Sequence, residues 1–150
     1  MIQDDGDIVR GLGFVTMHAS HLEGRIEDLL TILSSISPYS PAEQKWPISK
    51  KVRKCIKVLR TIPGTVSSEI IADLEQCLSH FEWRNELVHG RVYSPKYKKE
   101  NLKSARPNVP DRKVRSHELY MLANNLVELN ARIYRPMLFA LPRELRKLGK

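Results

Sequence analysis

The sequence predicts an all-α fold, an antiparallel four-helix bundle with a long basic loop between the third and fourth main helices and a short helix near the C-terminus. Three observations carry this. Apolar residues recur at threes and fours through four long segments, the period of a helix face that packs on a core. Segments containing proline fall between them. No strand alternation, internal repeat or glycine-rich phosphate loop is present. At 150 residues the chain fits one domain, 1–150, able to bury a core without disulfides. Mostly short connections then make a bundle the economical arrangement.

The first helix is expected from Ile8 to about Ile36, with Ile8, Leu12, Val15, Ala19, Leu22, Ile26, Leu29, Leu30 and Leu33 on one face. Ser37, Pro38, Ser40 and Pro41 break it, and Pro47 or Ser49 starts the second over residues 48 to 62. This helix sets Val52, Cys55, Ile56 and Leu59 against a face of lysines and arginines. After a Pro63-Gly64 turn, Ser67-Ser68-Glu69 is expected to cap the third. Its apolar face includes Ile70, Leu74, Cys77, Leu78, Phe81, Leu87 and Val88, and Gly90 stands where a glycine would stop it. Residues 91–115 read as a basic insertion, a loop or short irregular hairpin. Ser116 opens the fourth helix, which carries Leu119, Leu122, Ala123, Leu126, Leu129 and Ile133, and Pro136 should kink or end it before a basic tail helix.

Charge is unevenly spread over a chain whose formal net charge is +8. Residues 91–115 hold nine lysines and arginines against Glu100 and Asp111, and Lys50, Lys51, Arg53, Lys54, Lys57 and Arg60 form a second cluster with no acid. Two such segments fit a polyanionic partner, because phosphate contacts dominate nonspecific nucleic-acid affinity; each alone also fits a solvated surface. No apolar run is long enough to span a bilayer and the first residues are acidic, so no membrane partner and a cytoplasmic location are expected. Cys55 and Cys77 stand without a second Cys or a His at ligand spacing, which reads as buried thiols. His18 and His21, near Glu23, read as a polar helix face, and no metal or other cofactor is expected.

The stretch FEWRNELVHGRVY, residues 81–93, gathers Arg84, Asn85 and His89 at the end of the third helix. Asn85 and His89 are four apart and share a face, so the amide can touch the imidazole or share a ligand with it. Arg84 lies about 100° round the axis, but its planar fork suits a phosphate. His89 stands in the last turn, where the helix dipole favours a positive charge.

Arg84-Asn85-Glu86-Leu87-Val88-His89 resembles the Arg-x4-6-His motif of the HEPN family of four-helix bundles, in the form with a polar residue directly after the arginine. The resemblance spans residues 8 to 140, although the motif has only three defined positions. It implies a metal-independent endoribonuclease of toxin or phage-defence type that works as a homodimer and is sometimes held by an antitoxin protein. By that resemblance His89 would be the general base or acid for attack of the 2′-hydroxyl, leaving a 2′,3′-cyclic phosphate. Arg84 would neutralise the phosphate and Asn85 would position His89 or the substrate. The toxin branch paired with a nucleotidyltransferase carries tyrosine two positions after the histidine, where this chain has Arg91.

Around the motif, Arg91, Tyr93, Lys96, Tyr97, Lys98 and Lys99 are the expected RNA-binding residues, the tyrosines as stacking platforms among cations. His80, one turn before Arg84, could flank the site, Trp83 reads as packing, and Glu82 or Glu86 as partners for an arginine. The alternative from another class is a noncatalytic helical module that binds nucleic acid or a protein through the basic loop. A helix-turn-helix reader fits less well, because no short helix, glycine turn and recognition helix follow in order.

Overall fold

Asp7 accepts a hydrogen bond from the backbone N–H of Arg10 at 3.0 Å and so starts the first helix, α1 (Ile8–Leu33). The computed structural model describes residues 1–93 and 100–149, Tyr93 in its backbone alone. Val15, Ala19, Leu22, Ile26, Leu29, Leu30 and Leu33 are buried along α1, the expected stripe. The helix stops at Leu33, short of Ile36: the N–H groups of Ile36 and Ser37 both turn back to the Leu33 carbonyl, and Pro38 has no N–H to continue.

The break holds a helical turn of its own, α2 (Pro41–Gln44), fixed by a capping box in which Ser40 and Glu43 satisfy each other's backbone N–H. Next, α3 (Ile48–Leu59) follows Pro47 and buries Val52, Cys55, Ile56, Val58 and Leu59. Gly64, at φ 117°, makes the turn that a side chain would strain, and α4 (Thr65–His89) begins directly after it. Helix α4 thus starts ahead of the expected serine cap, and Ser67 is buried with no hydrogen-bond partner for its hydroxyl among the described residues. The apolar face includes Ile70, Leu74, Cys77, Phe81 and Leu87, whereas Val88, expected among them, is exposed.

Within the 91–115 insertion, the described residues form a three-stranded antiparallel sheet, β1 (Arg91–Tyr93), β2 (Asn101–Lys103) and β3 (Arg112–Lys113), so the hairpin alternative holds over the plain loop. Val92 pairs with Leu102 and Leu102 with Arg112. Leu102 and Val114, both buried in the common core, pin the insertion to the bundle, and Val92 packs against that core.

The fourth main helix, α5 (Ser116–Arg135), buries Leu119, Tyr120, Leu122, Ala123, Leu126, Leu129 and Ile133. Pro136 does not end it. The chain widens into a π-turn over Pro136–Ala140, which accommodates the missing N–H, and continues as α6 (Leu141–Lys147).

The all-α class stands, but helix directions depart from a simple up-and-down bundle. Gly11 packs on Leu119, and Arg25 meets Asn130 at 3.1 Å and lies over the Tyr134 ring, so α1 and α5 run side by side in the same direction. The return leg is residues 34–47, which bring the chain back along the outside before α3. Among the described residues, no helix is long and apolar enough to cross a membrane.

Much of the basic face of α3 is structural. Lys51 is buried against Glu27 of α1, Lys54 pairs with Glu43 and donates to the Pro38 carbonyl at 2.6 Å, and Arg60 reaches Glu75 at 3.6 Å. Burial alone would raise the Glu27 carboxyl, but hydrogen bonds from Lys51 and Tyr39 outweigh it and hold the carboxyl below its ordinary value. A carboxyl lowered by folding contributes stability above its unfolded value and loses it as pH falls through the folded one. Urea unfolding should therefore show stability declining below about pH 4.5, and the Glu27→Gln variant should show a flatter acid limb. Parallel limbs would mean that Glu27 carries no such linkage.

Candidate functional site

The last two turns of α4 and the sheet that follows build one surface. Gly90 closes the helix with its N–H on the Glu86 carbonyl at 2.8 Å, yet its φ of −77° is open to any residue. What it supplies is room. A β-carbon at Gly90 would lie 2.5 Å from the Glu86 carbonyl oxygen, 2.5 Å from Leu102 and 3.0 Å from the Lys103 carbonyl oxygen. The expected C′ glycine is thus a close-approach glycine, and it lets β2 come against the helix end.

Two side-chain contacts fix the sheet along α4. The Arg112 guanidinium stacks 3.4 Å from the centre of the Trp83 ring, and Arg106 reaches Glu82 at 3.3 Å. Trp83 therefore packs as expected, and Glu82 finds its arginine in the insertion, outside its own helix.

This docking leaves His89 exposed between two adjoining cavities. One, of about 320 Å³, is lined by Asn85, Glu86, His89, Ser104, Ala105 and Arg106. The other, of about 300 Å³, shares His89, Ser104 and Ala105 and adds Arg91 and Lys103. Asn85 and His89 thus face a common space, although no hydrogen bond joins them among the described residues. Arg91 and Lys103 are directly opposite in the β1–β2 register. Like charges so placed repel, which an anion lying between them would relieve.

Arg84 goes elsewhere. Its guanidinium pairs with Glu23 of α1 and lies 5.7 Å from the Phe81 ring centre, and Nε is buried with no hydrogen-bond partner among the described residues. Burial lowers its affinity for the proton. Sequence spacing sets Arg84 beside Asn85 and His89, whereas Arg106, Lys103 and Ser104, which complete the cavity, are not singled out by any motif. Their one signal was membership of a basic insertion. Lys96, Tyr97, Lys98, Lys99 and the Tyr93 side chain lie outside the described residues.

The Arg84–Glu23 pair is lopsided, with the arginine side chain 18% exposed and the glutamate 37%. Removing one partner of an ion pair costs most when the charge left behind is the more buried one. Glu23→Ala should therefore lower stability by about 2 kcal/mol and Arg84→Ala by about 1 kcal/mol. Denaturant titration of both variants decides it, and the reverse order would contradict this view of the pair.

The other histidines sit apart from the cavity. His18 and His21 meet edge-on at 5.7 Å, and burial, then the neighbouring His21, lowers the His18 pKa. His80 is lowered by burial and by Arg132 of α5. Both cysteines are buried thiols pushed up to about 12 by burial. Among the described residues no group of three or more His, Cys, Asp or Glu is arranged to hold a metal ion. No family model, curated protein or solved structure matches the chain.

Proposed function

We propose that the chain is a HEPN-like, metal-independent endoribonuclease of toxin or defence type, with His89 as its proton-transfer group. One observation carries the reading: Asn85 and His89 of the motif line one cavity whose rim holds Arg106 and, through the adjoining cavity, Arg91 and Lys103. A phosphodiester entering there meets cations on one side and an exposed imidazole on the other. His89 takes the proton from a ribose 2′-hydroxyl, the 2′-oxygen bonds to phosphorus, and the bond from phosphorus to the 5′-oxygen breaks. The products are a 2′,3′-cyclic phosphate and a 5′-hydroxyl.

The 5′-oxygen needs a proton as it leaves. A second His89, from the other copy of a homodimer, supplies it in this scheme, so that each imidazole serves one transfer. Arg106, Lys103 and Arg91 bear the charge that builds on the phosphate, and Asn85 positions the substrate. Arg84 takes the phosphate role that the resemblance implies only by exchanging Glu23 for it; while paired, it ties α4 to α1. An antitoxin, if the chain has one, would act by covering this surface.

Incubation of the purified protein with mixed single-stranded RNA, with and without EDTA, tests the reading. Equal cutting in both is expected. RNA that is bound but never cut would favour the noncatalytic module, and cutting that EDTA abolishes would contradict the metal-free chemistry.

A further inference from the structure

The cavity around His89 does not end there. A third depression, of about 420 Å³, takes Asn85 and Arg106 from it and runs between α3 and α4 past Phe81, Leu78 and Ser49 to Arg53. Arg53 in turn lines a fourth, of about 570 Å³, bounded by Trp46, Lys50, Lys57 and Val58. Shared lining residues thus join the four into one track, from Arg91 and Lys103 at one end to Trp46 at the other.

Its charge is one-sided. The acids Glu43, Glu75 and Glu82 along it are each paired, with Lys54, Arg60 and Arg106. Glu86 is left as the one acid of the lining with no ion pair among the described residues. Against it stand Arg91, Lys103, Arg53, Lys57 and Lys50, none of them in an ion pair among the described residues. Lys50 lies 5.9 Å from the centre of the Trp46 ring, which is itself exposed. Cations spaced along a groove with an exposed aromatic at its far end are the makings of a single-strand site, where phosphates follow the charges and a base stacks on the ring.

We infer that this track is the binding path for single-stranded RNA, with the scissile phosphate at His89 and a distal base on Trp46. The inference rests on the ribonuclease reading for its reacting end and extends it to a substrate class. Along α4 the lining residues Glu75 and His89 lie about 21 Å apart, room for on the order of six nucleotides at a stacked spacing of about 3.4 Å, and at Arg53 the track turns across α3 towards Trp46. The depression between α3 and α4 is bounded on both sides by helix, which admits one strand and leaves no room for the second strand of a duplex.

The test uses the full chain carrying His89→Ala, so that bound RNA is not cut, and oligouridylates from about three to about twelve nucleotides long. Affinity should rise about tenfold or more with length and then level off, and only the longer oligomers should quench tryptophan fluorescence. Adding Trp46→Phe should remove that quench. Adding Arg53→Ala and Lys57→Ala, both on the exposed face of α3, should flatten the length dependence and reduce the salt slope by about 1.4, at about 0.7 per phosphate lost. Arg143→Ala with Arg146→Ala, on α6, serves as the charge-matched control and should keep the length dependence.

Affinity indifferent to length, a length dependence that survives loss of Arg53 and Lys57, or equal quenching by duplex RNA or polyglutamate would overturn the track. Because binding is read without cutting, the two ideas separate. A wild-type protein that cuts RNA while the track variants bind normally defeats the track alone. Length-dependent binding by a protein that never cuts defeats the nuclease alone.

Discussion

His89→Ala should lower RNA cleavage by about 10³-fold, since a positioned general base or acid is worth about 10² to 10⁴. The loss should fall on the rate of cutting and leave RNA binding nearly intact, because the cations of the cavity remain. His89 is exposed, so its replacement removes no core contact and stability should move by less than about 0.5 kcal/mol. His117→Ala, at an exposed position on the first turn of α5 and outside the cavity lining, is the matching control and should cut like the parent protein. Single-turnover cleavage of one labelled oligonucleotide by the three proteins measures this. Equal rates would mean that His89 takes no part in the reaction.

Gly90→Ala should be the most damaging glycine-to-alanine change in the chain. The added carbon would lie 2.5 Å from the Glu86 carbonyl oxygen and 2.5 Å from the buried Leu102, closer than real β-carbons come, and at a tight 3.0 Å from the Lys103 carbonyl oxygen. The Glu86 carbonyl belongs to the helix and the Lys103 carbonyl to β2, so relief requires the sheet to move off α4. Overpacking of this kind costs about 3 kcal/mol, and for a chain of this length the midpoint of thermal unfolding should fall by on the order of 10 °C. Moving the sheet also carries Lys103, Ser104 and Arg106 away from His89, so cleavage should drop in protein that is still folded. A variant with the parent's melting temperature would show that the sheet does not press on the helix end.

How much of this was legible differs by element, for physical reasons. The buried faces of α1, α3 and α5 follow from apolar spacing, because each packs one stripe on a single core. Helix α2 carries a capping-box signature in Ser40-Pro41-Ala42-Glu43, but Pro38 and Pro41 make the same stretch look like a break. The sheet was illegible as strands because its members are two or three residues long, too short for alternation to appear. The parallel course of α1 and α5 is not legible, because residues 34–47 carry no local signal that they form a return leg. That Asn85 and His89 face a common space is legible, because four residues on a helix fix a shared face. The pairing of Arg84 with Glu23 is not legible, because the two stand 61 residues apart and no local pattern announces such a pair. The Lys51–Glu27 pair was hidden in the same way, so a basic face that read as free for nucleic acid is partly spent on the bundle.

The end groups of RNA cut by the wild-type protein in EDTA are the measurement that bears most directly on the reaction assigned to His89. Fragments should carry a 2′,3′-cyclic phosphate on one side of each cut and a 5′-hydroxyl on the other, since only attack by the ribose's own 2′-oxygen leaves that pair. Fragments with 3′-hydroxyl and 5′-phosphate ends would contradict the account, because water would then have been the nucleophile.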